Sequence, residues 1–497
     1  MTAPLSSSLP ASLYRAEQVR AMDAHAITQL GLTGYELMQR AGGTALAALS
    51  RRWPSARTLS VVCGGGNNGG DGYVLARLAR AKGMDVRVYP LVPVDRLRGD
   101  ALRAYEDYRD AEGPVLDFVP ADFEGAEVLA DGLLGTGLDR PVEGLYAEVI
   151  KGINRFSGGV LALDIPSGLN ADTGHPLGIA VNADITATFV ALKQGLFTGG
   201  GPAHCGEIVF DDLGIPPAAQ RLQTPSARLL PSWVKGLPRR ARDAHKGHFG
   251  HVLVLGGDLG YGGAVRMAGE AAARVGAGLV SLATRPEHAA LLSLHRPELM
   301  SHGVAQPNDD LPALMQRARV LALGPGLGRS PWGRAMFGAA LASGLPLVAD
   351  ADALNLLAET PLKRDDWILT PHPGEAARLL QTDTAAVQKD RYAAVAELRR
   401  RYGGTVVLKG AGTLVLGHSG LPEVCTSGNP GMATGGMGDV LTGVIAGLLA
   451  QGLSQEVAAA TGVRLHGAAG DAAAEEGGER GMLASDLMRH LRRLINL

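Results

Sequence analysis

The chain has little of several things, and each scarcity removes a class of protein. Only three cysteines occur in 497 residues. Cys63, Cys205 and Cys425 stand far apart and are odd in number. They form neither a disulfide framework nor a zinc spacing, and they suit a reducing compartment. The opening residues, MTAPLSSSLPASLY, lack a basic stretch followed by an apolar one, so no secretory leader is expected. No apolar run approaches the roughly 20 residues of a membrane span. The longest, Val440 to Leu453, is broken by Gly443, Gly447 and Gly452 and reads as a buried helix. A basic surplus is missing too: the formal charge is −2 with no basic stripe, which argues against phosphate-driven nucleic-acid binding. A cytoplasmic protein with neither membrane nor nucleic-acid partners is the expectation.

Glycine, by contrast, is abundant. Its 69 residues are about 14% of the chain, roughly twice the usual 7%. They collect at the ends of apolar runs, where a backbone turns tightly and approaches a ligand. Hydrophobic residues at 46% and charged residues at 19% mark a globular protein, and the length predicts two domains.

Residues 1–12 read as a flexible tail. Val19, Met22, Ile27 and Leu30 then recur at helical spacing, and Leu37, Ala41, Ala45 and Leu49 share one face of a second helix. The rhythm next becomes strand, glycine turn, helix, strand. LSVVC (59–63) runs into GGGNNGGDG (64–72), a helical YVLARLARA and a strand DVRVYPL (85–91). Further strands are expected in EVLADGLLG, GVLALDIPSG, ADITATFV and EIVFDDLG. Residues 216–247, with five prolines and a basic bias, break the pattern and place a boundary near 225. The rhythm restarts with HVLVLGG (251–257), GLVSLAT (278–284), VLALGPG (320–326), LVADADAL (347–354), WILTPHPGE (367–375) and TVVLKGAGTLVL (405–416), all read as strands with ligand-side turns. The fold class is therefore α/β, with two doubly wound domains at 13–225 and 246–497 joined by a linker at 226–245. Ligands of such sheets sit at the carboxyl ends of the strands.

NPGMATGGMGD (429–439) is the most specific signal. Its glycines lead into an apolar helix, and a helix N-terminus offers free N–H groups to phosphate. Asp439 falls in the first helical turn. A plain anion site would not place a carboxylate there, so Asp439 reads as a general base for a substrate hydroxyl, or else as a carboxylate favouring the helix dipole. Lys409 in KGAGTLVL reaches phosphates or merely flanks a β-turn. His372, between two prolines, contacts substrate or is structural. Asp350 and Asp352 organise metal-bound water or cap the following helix, with capping preferred.

In this order, KGHFGHVLVLGG, GYGGA, GAGLV, GPGLG, DADALN, TPHPGE, KGAGT and NPGMATGGMGD resemble the NAD(P)H-hydrate dehydratase branch of the ribokinase-like superfamily over about 245–495. The resemblance implies a ribokinase-like domain in which a nucleotide phosphorylates the C6 hydroxyl of hydrated NADH or NADPH. Phosphate then leaves and the ring is restored. By the same resemblance, Lys409, Gly410, Ala411, Gly412, Thr413 and Gly438 hold the nucleotide. Ala264, Gly326, His372 and Asp439 contact the hydrate. Asp258 stands where the family often has a small residue.

In the first half, NNGGD packs two asparagines and an aspartate onto a glycine turn, enough oxygen ligands for pyrophosphate and a hard cation, or for a turn held by Asx hydrogen bonds. Asp164 in LDIPSG, at a strand end, reads as an acid/base or a cap. GNNGGDG, DGLLGTGLDRP, DIPSGLNADTG and the early AMDAHAITQLGLTGYELMQRAG resemble the NAD(P)H-hydrate epimerase family over about 14–215. That implies a Rossmann-like three-layer sandwich interconverting the R and S hydrates. Asn67, Asn68, Gly69, Gly70, Asp71, Gly135, Thr136, Gly137, Leu138, Asp139, Arg140, Pro141 and Asp164 would bind substrate, and Asn68, Asp131 and Ser167 would bind potassium. Asp164 is the expected proton-transfer group, Asp439 its counterpart in the second half. The fused order resembles the bacterial arrangement and implies ADP with magnesium as donor, and a homo-oligomer by analogy. The competing readings are a ribokinase-like kinase acting on a vitamin precursor and a non-enzymatic first half that senses nucleotide or serves as a scaffold.

Overall fold

In the strand Thr58–Cys63, Leu59, Val61 and Cys63 point to one face and Val62 to the other, and all four are buried. A strand apolar on both faces needs cover on both. In the computed structural model, which describes residues 9–117, 123, 125–231, 237–294 and 296–497, it receives that cover. Leu59, Val61 and Cys63 join a core with Val19, Met38, Ala45 and Val74 from the helices Ala16–Gln29, Gly34–Arg52 and Asn67–Ala81. Val62 joins a separate core with Val149, Ile150 and Ile153 of the helix Gly144–Arg155. Residues 1–8 of the expected tail and 232–236 of the expected linker lie outside the described residues.

The chain divides into two compact units, Met1–Arg228 and Leu229–Leu497. The first holds a six-stranded parallel sheet in the order Asp85–Pro90, Thr58–Cys63, Val128–Gly132, Gly159–Leu163, Ile185–Phe189, Glu207–Asp211. Strand order reverses between Thr58–Cys63 and Val128–Gly132, and a crevice opens at such a point beyond the carboxyl ends.

In the second unit, parallel strands run in the order Met300–Gly303, Leu279–Thr284, His251–Leu255, Val320–Leu323, Leu347–Ala349, Trp367–Leu369, Thr405–Leu408. Thr413–Leu416 and Glu423–Cys425 continue it antiparallel. The apolar helix Met437–Ala450 packs on Gly262–Arg274 with almost no gap: a Cβ on Gly443 would run into the Ala268 carbonyl. The helix is buried, and among the described residues no helix is long and apolar enough to cross a membrane. All three cysteines are buried and free.

Three local expectations change. The stretch 405–416 is a hairpin, because Gly410 and Gly412 take φ of +133° and +61° and reverse the chain. LVADADAL is a strand only through Ala349, and a helix starts at Ala351. NNGGDG is no open turn: the helix already begins at Asn67, since Gly69 and Gly70 are packed where a Cβ would strike the Gly64 carbonyl and the Met38 side chain.

Candidate active sites

In the first unit, the loops after Thr58–Cys63 and Val128–Gly132 and the first turn of helix Asn67–Ala81 line a cavity of about 580 Å3. Asn67, Asn68, Asp71, Gly135, Thr136, Gly137, Leu138, Asp139, Arg140 and Asp164 all reach it. Gly69, Gly70, Pro141, Asp131 and Ser167 are not in its wall.

Asp164 follows the strand Gly159–Leu163 at φ +62°, a left-handed conformation that costs a non-glycine residue about 1 kcal/mol or more. Val190, also in the wall, sits at φ +68°. The strained Asp164 backbone sends its carboxylate to Lys193, whose ammonium contacts Oδ1 directly. Lys193 is 1% exposed, and it also donates to Thr188 Oγ1 at 3.1 Å and to the Phe189 carbonyl at 2.8 Å. Sequence reasoning missed Lys193. Its signal was a lone cation inside the apolar run FVALKQGLF. It also missed Asp23, which reaches the cavity from helix Ala16–Gln29. Burial raises Asp23 to about 6, with Lys193 pulling it down and Asp164 pushing it up. Burial holds Asp71 well above the usual carboxylate range, and Asp164 and Asp23 add to it.

Behind the wall, Asp131 and Ser167 pair, and Leu134 links them to Asn68. Ser167 donates through Oγ (2.6 Å) and N (2.8 Å) to the Asp131 carboxylate. Burial still leaves Asp131 raised to about 6. Leu134 N donates to Ser167 Oγ at 2.8 Å, and Asn68 Nδ2 donates to the Leu134 carbonyl at 3.1 Å. Asn68 Oδ1 is buried with no donor.

In the second unit, Lys409 Nζ lies 2.6 Å from Asp350 Oδ1 and 3.9 Å from Glu375. Thr442 Oγ1, from the Met437–Ala450 helix, donates to Asp350 Oδ2 at 2.8 Å. Burial alone would raise Asp350, but Lys409, Thr442 and Thr370 outweigh it and hold the carboxyl below its ordinary range. Asp350 stands at a helix N-cap yet accepts no capping hydrogen bond, which corrects the capping reading: its carboxylate is the counter-ion of Lys409. Asp352 does not cap its own helix with Oδ2 either, but accepts from Gly328 N at 2.9 Å and so fixes the GPGLG turn. In that turn Gly326 has φ +58°, and a Cβ there would lie 3.2 Å from the Ala264 Cβ.

Gly438 adjoins the ion pair; a Cβ on it would sit 3.2 Å from Asp350 Oδ2 and 3.3 Å from Lys409 Nζ. One residue on, burial raises Asp439 to about 7, Asp350 adds to this and Lys409 opposes it. His372 caps the helix Pro373–Leu380 through Nδ1, which accepts from Gly374 N at 3.0 Å. Lys409 N donates to the Pro371 carbonyl at 2.9 Å, so His372 and the 409–413 turn share one rim. The turn is closed by Thr413 Oγ1 on the Gly410 carbonyl at 2.9 Å. Beneath it, fully buried Arg391 donates to the Leu408 and Lys409 carbonyls at 3.1 and 3.2 Å, a support the sequence did not reveal. Asp258, the departure from the resembled family, bridges Arg285 (2.7 Å) and Ser330 (2.6 Å), and its N–H donates to the Gly326 carbonyl.

Asp350 therefore joins three separate segments. Asp350→Asn is expected to take the nearest anion from Lys409, leaving Glu375 at 3.9 Å, and to lower stability by somewhat less than the ~3–5 kcal/mol of a fully buried pair, because Lys409 is 18% exposed. Chemical denaturation of the full chain measures this; a loss under 1 kcal/mol would contradict the pairing.

A cavity of about 580 Å3 beyond the carboxyl ends of one doubly wound sheet, and a cluster of Lys409, Asp350 and Asp439 beyond those of the other, each with a carboxyl raised by burial, define a two-site α/β enzyme of small-molecule chemistry. Comparisons with known proteins narrow the class. Residues 252–493 match the family described as NAD(P)H-hydrate dehydratase. Residues 34–195 match the YjeF-related protein N-terminus. The chain is 53% identical to the bifunctional NAD(P)H-hydrate repair enzyme of Coxiella burnetii, over 97% of this chain and 99% of that one. It is 44% identical to the enzyme of the same description from Escherichia coli, over 98% and 95%. A solved structure, the ADP/ATP-dependent NAD(P)H-hydrate dehydratase from Bacillus subtilis co-crystallised with ATP/Mg2+, is 30% identical and covers 52% of this chain and 93% of its own, with a TM-score of 0.46. The chain belongs to the family of bifunctional NAD(P)H-hydrate repair enzymes.

Proposed function

We propose that the first unit interconverts the R and S forms of hydrated NADH and NADPH, and that the second dehydrates the S form at the expense of a nucleotide phosphate, ADP being the expected donor. The observation that carries this reading is the placement of Asp439. It stands at the start of a buried helix behind a glycine-rich loop, beside Lys409. Asp439 takes the proton of the C6 hydroxyl, and the hydroxyl oxygen attacks the terminal phosphorus. Lys409 and the free N–H groups at the helix start offset the charge that develops. AMP, or ADP where ATP is the donor, leaves the phosphorus. The phosphate then leaves C6 with the C–O bonding pair, C5 gives up a proton to it, and the C5–H pair restores the C5–C6 double bond. The 409–413 turn and Gly438 bind the nucleotide, and Ala264, Gly326 and His372 border the hydrate.

Among the described residues no cluster of His, Cys, Asp or Glu makes a ready metal cage, so magnesium would arrive on the nucleotide phosphates. Potassium has a better case in the first unit. The buried Asn68 Oδ1 lacks a donor, and with the Asp131 carboxylate and Ser167 Oγ it makes an all-oxygen set suited to a hard cation. The cation would fix the 133–141 loop against helix Asn67–Ala81. Asp164 carries the proton transfer at the oxygen on C6.

The test mixes the full chain with R and S hydrates of NADH, ADP and magnesium and follows the absorbance of the reduced nicotinamide. Complete recovery of both forms is expected, and replacing potassium by lithium should slow use of the R form alone. No recovery with either ADP or ATP sinks the dehydratase assignment.

A further inference from the structure

The cavity of the first unit carries more carboxyls than cations at its inner end. The exposed Arg20, Asp139 and Arg140 and the half-buried Asp100 lie at its solvent side. Deeper, Asp23, Asp71 and Asp164 face a single ammonium, Lys193. That ammonium is fully engaged: its three N–H bonds have acceptors in Asp164 Oδ1, Thr188 Oγ1 and the Phe189 carbonyl. Among the described residues, the carboxyls of Asp23 and Asp71 have no hydrogen-bond partner. The charges bearing on Asp71 are Asp164, Asp23 and Lys193, two of them of its own sign. Carboxyls crowded in this way cannot all ionise, and the proton stays where no cation competes for it.

We propose that the epimerase site divides its carboxyls by role: Asp164, ion-paired with Lys193, takes a proton, and Asp71, seconded by Asp23, gives one. Lys193 is a positioning residue that acts through Asp164. The proposal rests on the epimerase reading of this unit.

The hydrate is a carbinolamine at C6, bonded to the ring nitrogen N1, and the step balances as follows. Asp71 protonates the C6 hydroxyl, the C6–O bond breaks with its electron pair on oxygen, and water leaves. The N1 lone pair closes an N1=C6 double bond. Water then bonds to C6 from the other face, the pair returns to N1, and Asp164 takes the surplus proton. Asp164 and Asp71 restore their starting states through cavity water, and the opposite direction runs the same transfers backwards. No oxidant, reductant or nucleotide is consumed. The raised Asp71 carboxyl and Asp23 at about 6 are consistent with a stored proton in this pair.

The experiment uses the full chain with R hydrate of NADH and no nucleotide, so that dehydration is idle, and follows the R to S ratio by chromatography across pH. The wild-type rate falls on the alkaline side as the donor loses its proton. Asp71→Asn is expected to slow interconversion by about 100-fold or more and to lose that alkaline fall. Asp23→Asn should slow it several-fold and keep the fall. With ADP, both variants should dehydrate S hydrate at the wild-type rate, which shows an intact chain. A fast Asp71→Asn, or a slow one with the alkaline fall unchanged, overturns the proposal and leaves the epimerase reading standing. A wild-type chain that does not interconvert R and S overturns that reading instead. If Asp71→Asn does not fold, Asp71→Glu decides: it restores rate and alkaline fall only if the carboxyl is the donor.

Discussion

Asp439→Asn is expected to lower dehydration of S hydrate by about 10²–10⁴-fold, the usual worth of a positioned base. The amide keeps the size and the helix-terminal position of the carboxylate but cannot take the hydroxyl proton. The pH dependence follows from the same residue. Burial raises Asp439 to about 7, and the base works only when ionised. The rate should therefore fall as pH drops below about 7, and the residual rate of Asp439→Asn should lack that fall. Recovery of nicotinamide absorbance with saturating ADP measures both. A variant retaining a tenth of wild-type rate would remove Asp439 from the role. Interconversion of R and S should be untouched.

Asp164→Asn gives the reciprocal result. Epimerisation should drop by about 10²–10⁴-fold, while S hydrate is consumed normally. With an R and S mixture and ADP, absorbance should rise quickly to the S fraction and then stall. The substitution also leaves the Lys193 ammonium, 1% exposed, without its anion. Some loss of stability is expected, about 3–5 kcal/mol for a fully buried pair and less here because Asp164 is 19% exposed. Unimpaired use of S hydrate shows that this loss has not unfolded the chain. Equal loss of both activities in either variant would defeat the assignment of one reaction to each unit.

The two glycine-rich loops differ in how legible they were. NPGMATGGMGD announced a helix start, and Asp439 lies where that pattern put it. NNGGD read as a turn, since glycine is a poor helix former. Packing overrode propensity: only residues without a Cβ fit against Gly64 and Met38, so the helix begins early and aims Asn68 from its first turn and Asp71 from the start of its second. Asp350 was legible as an acidic residue at a strand end, but its partner was not.

By itself, the sequence determined the local chemistry: short apolar strands, glycine turns at their carboxyl ends, and the acids Asp164 and Asp439 beside those turns. Such features depend on neighbours a few residues away, and local periodicity records them. Only the tertiary structure decided the pairings. Asp164 with Lys193 is separated by 29 residues, Asp350 with Lys409 by 59 and Asp350 with Thr442 by 92. Each depends on which strands lie side by side and on which face a helix turns inward. That order is set by the packing of the whole sheet, and it is the pairing, not the presence, of a carboxyl that settles whether it holds a proton or gives one up.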